Sequence, residues 1–274
     1  MTKEGSRLCR EYGDHEVSLL TVKDCSGDFT GIGAYVATDN ARREVVVAVR
    51  GSTNVRNFIT DVFFSKQDCN FASGCKIHTG FGAAWDEISG RIKAAVRKAI
   101  QDNPDYRVVA TGYSLGAAVA TLAAAYLRDE GLPVDLYTYG SPRVGNDVFA
   151  DYVSNQPGNN SRVTHQDDPI PRVPPIFFDY RHVSPEYWLS TGTAENVDFG
   201  VDDVRVCAGN ANIDCNAGAP VPFTYEAHLY YFRKMSACGR KGIEFKRDGT
   251  LDFQVFELLQ TYQKADDKVV AYIR

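Results

Sequence analysis

The sequence predicts an α/β fold, a mostly parallel sheet with helices packed on it. Three observations support this. The first is Gly112-Tyr113-Ser114-Leu115-Gly116, which joins an apolar strand candidate, Tyr106 to Thr111, to a helix candidate, Ala117 to Arg128, rich in Ala and Leu and free of Pro and Gly. The second is Val45 to Val49, apolar on both faces as a buried central strand would be. The third is the alternation of strand-like and helix-like segments, which places a site at the strand ends.

The remaining elements follow in order. Val17 to Val22 and Phe29 to Val36 are strand candidates separated by the turn cluster Asp24-Cys25-Ser26-Gly27-Asp28. Ala41 to Glu44 turns the chain into the Val45 strand, and Gly51-Ser52-Thr53-Asn54 stops it and suits a helix start. Val55, Phe58, Ile59, Val62 and Phe63 then share one face at helical spacing, and a polar loop runs from Ser65 to Gly74. Phe81 to Gln101 is an amphipathic helix with Trp85, Ile88, Ile92, Val96 and Ile100 as its buried stripe, ended by Asn103-Pro104. Val134 to Tyr139 is a strand, Asn146 to Val153 a short helix, and Ser161 to His165 the next strand. Asp167 to Pro175 is too rich in proline for helix or central strand, and Ser190 to Pro222 reads as loop. Thr224 to Met235 reads as a helix around His228, and the tail offers a helix with Leu251, Val255, Leu258, Leu259 and Tyr262 in register.

A chain of 274 residues, 44 % hydrophobic and 24 % charged, has the composition of an ordinary soluble globular protein. A net charge of -5 argues against a nucleic-acid partner, no apolar run is long enough to span a bilayer, and no signal peptide is visible. The seven cysteines form no CxxC or zinc pattern. Cys69 with Cys75 and Cys207 with Cys215 are spaced like small disulfide-closed loops of secreted proteins; buried thiols are the alternative. Asn159-Asn160-Ser161 is a glycosylation sequon.

A serine flanked by glycines at a strand-to-helix turn is a nucleophile elbow. The sharp turn lifts the hydroxyl clear of the backbone, and the glycines let strand and helix close around it. The N–H of Leu115, at the positive end of the following helix, would face a developing oxyanion. Such a serine needs a histidine base and a carboxylate to orient it, in the chain order serine, acid, histidine. His15 and His78 precede Ser114, which leaves His165, His182 and His228. Asp168, held by Pro169 and Pro171, fits the acid, and His228 the base. Each has a competing reading. Asp167 and Asp168 also suit a plain turn, and His228 a core position. His165 is the chief rival base, although close to Asp168, and His182 reads as a structural residue in a strand.

Longer stretches are more specific. Arg50-Gly51-Ser52, His78-Thr79-Gly80-Phe81, Thr111 to Gly116, Tyr139-Gly140-Ser141-Pro142-Arg143-Val144-Gly145-Asn146, Arg162 to Asp168, Val173-Pro174-Pro175, Ser184-Pro185-Glu186-Tyr187-Trp188 and Ala227-His228-Leu229-Tyr230-Tyr231-Phe232 run collinearly. In these the chain resembles the fungal class 3 triacylglycerol lipases, of α/β-hydrolase topology. The resemblance implies Ser114 as nucleophile, Asp168 rather than Asp167 as acid, His228 as base, and Ser52 with the N–H of Leu115 as oxyanion hole. It implies no metal or organic cofactor. It also implies secretion, an acylglycerol substrate met at a lipid–water interface, and a helical lid over Thr53 to Phe63 that carries the Val55, Phe58, Ile59, Val62 and Phe63 stripe. Phe58 stands where such lipases often carry tryptophan, and Tyr113 where most carry histidine.

By the same resemblance, residues 1–238 form the catalytic domain without the family's N-terminal helix, and 239–274 form a partly helical extension. Cys238 matches a cysteine whose usual partner lies in that helix; Cys9 and Cys25 are the candidates to replace it. Either the stretch Leu251 to Tyr262 covers the exposed sheet face, or the fold lacks that cover. Two other functions compete with the lipase. One is a feruloyl esterase of the same family, favoured by the Cys207 to Cys215 loop and disfavoured by the apolar lid stripe. The other is a non-catalytic relative.

Overall fold

The computed structural model describes residues 19–25, 27–52, 64–235 and 250–273. Its centre is an eight-stranded sheet in the order β1-β2-β3-β6-β7-β8-β9-β10. The strands are β1 (Leu19–Asp24), β2 (Ala34–Asp39), β3 (Glu44–Val49), β6 (Arg107–Tyr113), β7 (Val134–Tyr139), β8 (Asn160–His165), β9 (Glu186–Leu189) and β10 (Val204–Cys207). From β3 to β9 every neighbouring pair is parallel, and antiparallel strands finish both edges. Two short strands, β4 (Lys66–Asp68) and β5 (Lys76–His78), form a separate hairpin.

The helices flanking the sheet form where the apolar pattern places them. Helix α1 (Thr79–Asp102) starts on His78, whose imidazole Nδ1 accepts the N–H of Gly80 at 3.0 Å. Trp85, Ile88, Ile92 and Val96 are buried along its inner face. Helix α2 (Leu115–Asp129) is buried along almost its whole length, and its alanines let it lie close on β6 and β7. Helix α3 (Asp147–Asn155) is capped by Asn146, whose side-chain oxygen accepts the N–H of Phe149. Among the described residues no helix is long and apolar enough to cross a membrane.

Several expectations need correction. Phe29 to Gly33 is not strand: the Glu87 carboxylate on α1 accepts the N–H of Phe29 at 2.6 Å and of Thr30 at 2.9 Å, which turns the segment before β2 begins. In β3, Val45, Val47 and Val49 are buried but Val46 and Ala48 only half-buried, so the strand alternates. Strands β9 and β10 pass through segments read as loop or left unassigned; they pair with each other, and Cys207 closes a disulfide with Cys215. Cys69 and Cys75 form a second disulfide. Asn159 is exposed just before β8, while Cys9, Cys238 and the lid stripe Val55, Phe58, Ile59, Val62 and Phe63 lie outside the described residues.

The tail forms helix α5 (Phe253–Ile273), longer than its apolar pattern suggests. It packs on the proline-rich turn: Leu251, Val255 and Leu259 share a core with Ile170, Val173 and Tyr225. Tyr262 adds a tilted ring contact to Phe177 and an edge contact to Phe64, with centroids 5.7 and 5.9 Å away. Further along, buried Asp266 accepts the N–H of Phe177 at 3.0 Å and sits 3.4 Å from the buried guanidinium of Arg143. Arg143 in turn donates to the carbonyls of Arg172 at 2.6 Å and Pro174 at 2.9 Å. Burial pulls the Arg143 guanidinium down to about 10, and the charge of Asp266 opposes the fall. Removing one member of a buried ion pair costs more than the pair contributes, because the survivor is left charged in low dielectric. Asp266→Asn is therefore expected to lower stability by about 3 kcal/mol, read from the midpoint of denaturant unfolding at unchanged slope.

Candidate active site

The carboxyl ends of β3, β6, β7 and β8 converge on one place. Ser114 follows β6 as the N-cap of α2, with φ 57° and ψ -128°, the strained backbone of an elbow, and its side chain is buried. The flanking glycines are sterically required. A side-chain carbon on Gly112 would stand 2.2 Å from the carbonyl oxygen of Gly116, and one on Gly116 would stand 2.3 Å from that of Val49. Leu115 opens α2, so its N–H belongs to a first turn whose N–H groups have no acceptor within the helix. After β3 the chain passes Ser114 through Arg50-Gly51-Ser52; a carbon added to Gly51 would lie 3.5 Å from Ser114 Cβ. Ser52 is thus the residue after a glycine whose lack of a side chain lets the chain run close to Tyr113 and Ser114.

Asp168 follows β8 and is fully buried. Its Oδ1 accepts the N–H of Ile170 at 2.9 Å, and its Oδ2 accepts His228 Nδ1 at 2.8 Å and the Tyr231 hydroxyl at 2.5 Å. A carboxylate accepts, so Nδ1 carries the proton of that bond and neutral imidazole presents Nε2 as the basic nitrogen. His228 Nε2 is buried and has no hydrogen-bond partner among the described residues. Tyr113, the residue before Ser114, stacks on the imidazole at 4.7 Å and donates its hydroxyl to the His228 carbonyl at 2.7 Å. The structure therefore brings Ser114, Asp168 and His228 to one set of strand ends.

His228 does not sit on the long helix expected over Thr224 to Met235. Only Glu226–Leu229 is helical (α4), because other donors take the carbonyls that would continue it. His165 Nδ1 donates to the carbonyls of Ala227 at 3.1 Å and Tyr230 at 2.7 Å, and the N–H of Met235 donates to the carbonyl of Leu229. His165, the rival base, is thus a brace for the segment that carries His228. Asp167 is half-buried, and its carboxyl is pushed up by burial while Asp168 holds the imidazole.

His182 lies outside any strand, contrary to expectation, and Nε2 donates to the carbonyl of Pro171 at 2.7 Å. It belongs to a buried polar cluster beneath the acid turn. There Arg162 pairs with Glu186 at 2.9 Å, and Thr164 and the N–H of Asn216 also bond Glu186. Burial pushes the Glu186 carboxyl up, but Arg162 and these hydrogen bonds outweigh it and hold it below the ordinary value. The sequence offered His165 as a rival base and Tyr113 only as a departure from the family's histidine, and gave Tyr231 and Gly140 no part at the site. Gly140, at φ 57°, is needed because a side-chain carbon there would stand 2.7 Å from the Tyr231 hydroxyl and 2.9 Å from His228 Nδ1. Tyr231 alone left a signal, since in the helix expected over Thr224 to Met235 it would share a face with His228 three residues earlier.

A family model described as Lipase (class 3) matches residues 46–178. The secreted mono- and diacylglycerol lipase 1 of Fusarium solani is 52 % identical over 253 residues, 92 % of this chain and 75 % of that protein. This chain belongs to the class 3 lipase family. The secreted mono- and diacylglycerol lipase A of Penicillium camembertii is 40 % identical over 236 residues, 85 % of this chain and 74 % of that protein. The crystal structure of a mono- and diacylglycerol lipase from Aspergillus oryzae superposes with a TM-score of 0.74 at 38 % identity, covering 78 % of this chain and 81 % of that one. This class 3 lipase therefore has the α/β-hydrolase fold and is a carboxylic ester hydrolase, and the lipase reading stands over the feruloyl esterase.

Two outcomes test the site. Asp168→Asn, which gives the imidazole the wrong tautomer, is expected to lower kcat about 10⁴-fold, and Tyr231→Phe, which removes one of the three hydrogen bonds that Asp168 accepts, about three- to tenfold. Turnover of a soluble ester checks both. The second outcome concerns pH. Burial first, then the charges of Arg162 and Arg143, hold His182 well below its ordinary value of 6.5. Below that value the unfolded chain binds a proton there that the folded one does not, so stability is complete above it and falls as pH drops through it. The melting temperature is expected to decline from about pH 7.5 to about pH 5.5, and His182→Gln to flatten that slope in this window.

Proposed function

We propose that this class 3 lipase hydrolyses acylglycerol esters at a lipid–water interface, with Ser114 as nucleophile, His228 as base and Asp168 as the acid that orients it. The observation that carries the reading is the buried Asp168–His228 pair, whose unused Nε2 belongs to an imidazole packed face to face with the residue before Ser114. Ser114 Oγ attacks the ester carbonyl carbon while Nε2 takes its proton, and the carbonyl oxygen becomes an oxyanion. The Leu115 N–H and Ser52 hold that oxyanion; loss of one such donor costs about 10²–10³ in rate. Collapse breaks the bond to the glycerol oxygen, which leaves with the proton from Nε2. Water then attacks the acyl-serine, gives a proton to Nε2, and releases the fatty acid as Ser114 recovers its own.

The enzyme is secreted, as its relatives are named to be and as two disulfides suit. In this reading Thr53 to Phe63 is the lid, its apolar stripe facing the site in water and lipid at an interface. Phe64, the first described residue after it, packs on Phe178 and on Tyr262 of α5. Residues 1–238 are the catalytic domain in this reading, and 239–274 an extension whose helix supports the acid turn.

Hydrolysis of emulsified monoacyl-, diacyl- and triacylglycerols beside a soluble short-chain ester tests the proposal. The expected result is a rise in rate as the ester concentration crosses its solubility limit, with fatty acid released from the emulsions and none from Ser114→Ala. The relatives' names make partial acylglycerols the first to compare with triacylglycerol. Equal rates on dissolved and emulsified ester would remove the interface from the mechanism.

A further inference from the structure

The residue at the centre of the elbow motif that the triad leaves without a role is Tyr113. It ends β6, and the next residue is Ser114. Its hydroxyl donates to the main-chain carbonyl of His228 at 2.7 Å, and its ring lies over the imidazole at 4.7 Å with 28° between planes. The same ring meets Tyr231 edge-on at 6.2 Å, and the Tyr231 hydroxyl is on Asp168 Oδ2. Phenol, imidazole, carboxylate and second phenol thus form a closed circuit: Tyr113 on His228, His228 on Asp168, Asp168 on Tyr231, Tyr231 on Tyr113. Gly140 leaves the space in which Tyr231 and His228 come together.

We propose that Tyr113 is the positioning residue of the base: its hydroxyl fixes the backbone of His228 relative to the nucleophile, and its ring face supports the imidazolium that forms in each half-reaction. The inference rests on the triad reading of Ser114, Asp168 and His228. Backbone continuity makes the first role direct, because a displacement of Tyr113 moves Ser114 with it. The second role follows from the stack. His228 becomes a cation when it takes the proton of Ser114 and again when it takes that of water, and an aromatic face close to a cation in a desolvated site attracts it. Burial, and then the negative charge of Asp168, push the phenol well above its ordinary value of 10.0, so the ring stays neutral and the hydroxyl stays a donor. The attraction is greater for imidazolium than for neutral imidazole, so it lowers the barrier more than it strengthens substrate binding.

Tyr113→Phe removes the hydrogen bond and keeps the ring; Tyr113→Leu removes both. Turnover of a soluble short-chain ester is measured per serine titrated with a fluorescent phosphonate, so that unfolded protein does not count. The expected kcat is about three- to tenfold lower for Tyr113→Phe and about 30-fold or more lower for Tyr113→Leu. KM is expected to stay within about twofold, and the rate of phosphonylation to fall in step with kcat. Parental kcat per titrated serine in both variants would overturn the proposal, even if their melting temperatures fell, since Tyr113 would then be filler. A change confined to KM would overturn it as well. Ser114→Ala and His228→Ala serve as controls. A Ser114→Ala enzyme that still labelled and turned over would overturn the triad reading and this inference with it. Silent controls beside fully active Tyr113 variants overturn the positioning role alone.

Discussion

The carboxylate of Asp168 is the interaction on which the site depends. It is buried, and it ties together three pieces of chain distant in sequence: the end of β8, the proline-rich turn through the N–H of Ile170, and the segment of His228 and Tyr231. A buried charge is tolerable only when its hydrogen-bonding capacity is filled, so the fold is obliged to bring those donors together. The same obligation fixes the imidazole's orientation and leaves Nε2 as its basic nitrogen.

Beneath that carboxylate the molecule holds an unusual amount of buried positive charge. Arg143, Arg162 and Arg172 are all buried, and burial pulls Arg143 and Arg172 down to about 10. Their guanidinium groups donate to the carbonyls of Val183, Ala219, Pro174 and Arg172 itself, and so hold the turns around the acid. Balance comes from Glu186 on β9 and from Asp266 on α5. The tail helix therefore contributes more than apolar cover. It brings a countercharge to an arginine that grips the proline-rich turn, and its Val255 and Leu259, with Leu251 just before it, press on the Ile170, Val173 and Tyr225 that flank Asp168 and His228. His182, among the same arginines, stays neutral and serves as a donor to Pro171.

Much of this was legible in local sequence. Hydrophobic periodicity and the glycine spacing of the elbow located β3, β6, α1 and α2, because those elements are long and their apolar faces follow a fixed period. The short strands β4, β5, β9 and β10 left no such signal. They exist because a neighbour offers a pairing edge, and Lys76 and Arg205 carry no intrinsic preference that marks one. The helix expected around His228 failed for a related reason. Its carbonyls at Ala227, His228 and Tyr230 are claimed by His165 and Tyr113, which approach from other strands.

The sequence by itself determined the α/β class, the strained serine between its glycines, and a short set of histidines and aspartates from which a base and an acid could be drawn. Those follow from local sterics and from the small number of candidate residues. The sequence also favoured Asp168 and His228 within that set; tertiary structure alone decided that His165 is a brace, that Tyr113 and Tyr231 close around the Asp168–His228 pair, and that the tail helix supplies a charge to the core. Each of those depends on contacts between residues tens to more than a hundred positions apart, selected because a buried polar group without a partner is costly. A local pattern carries no record of which distant donor will meet that need.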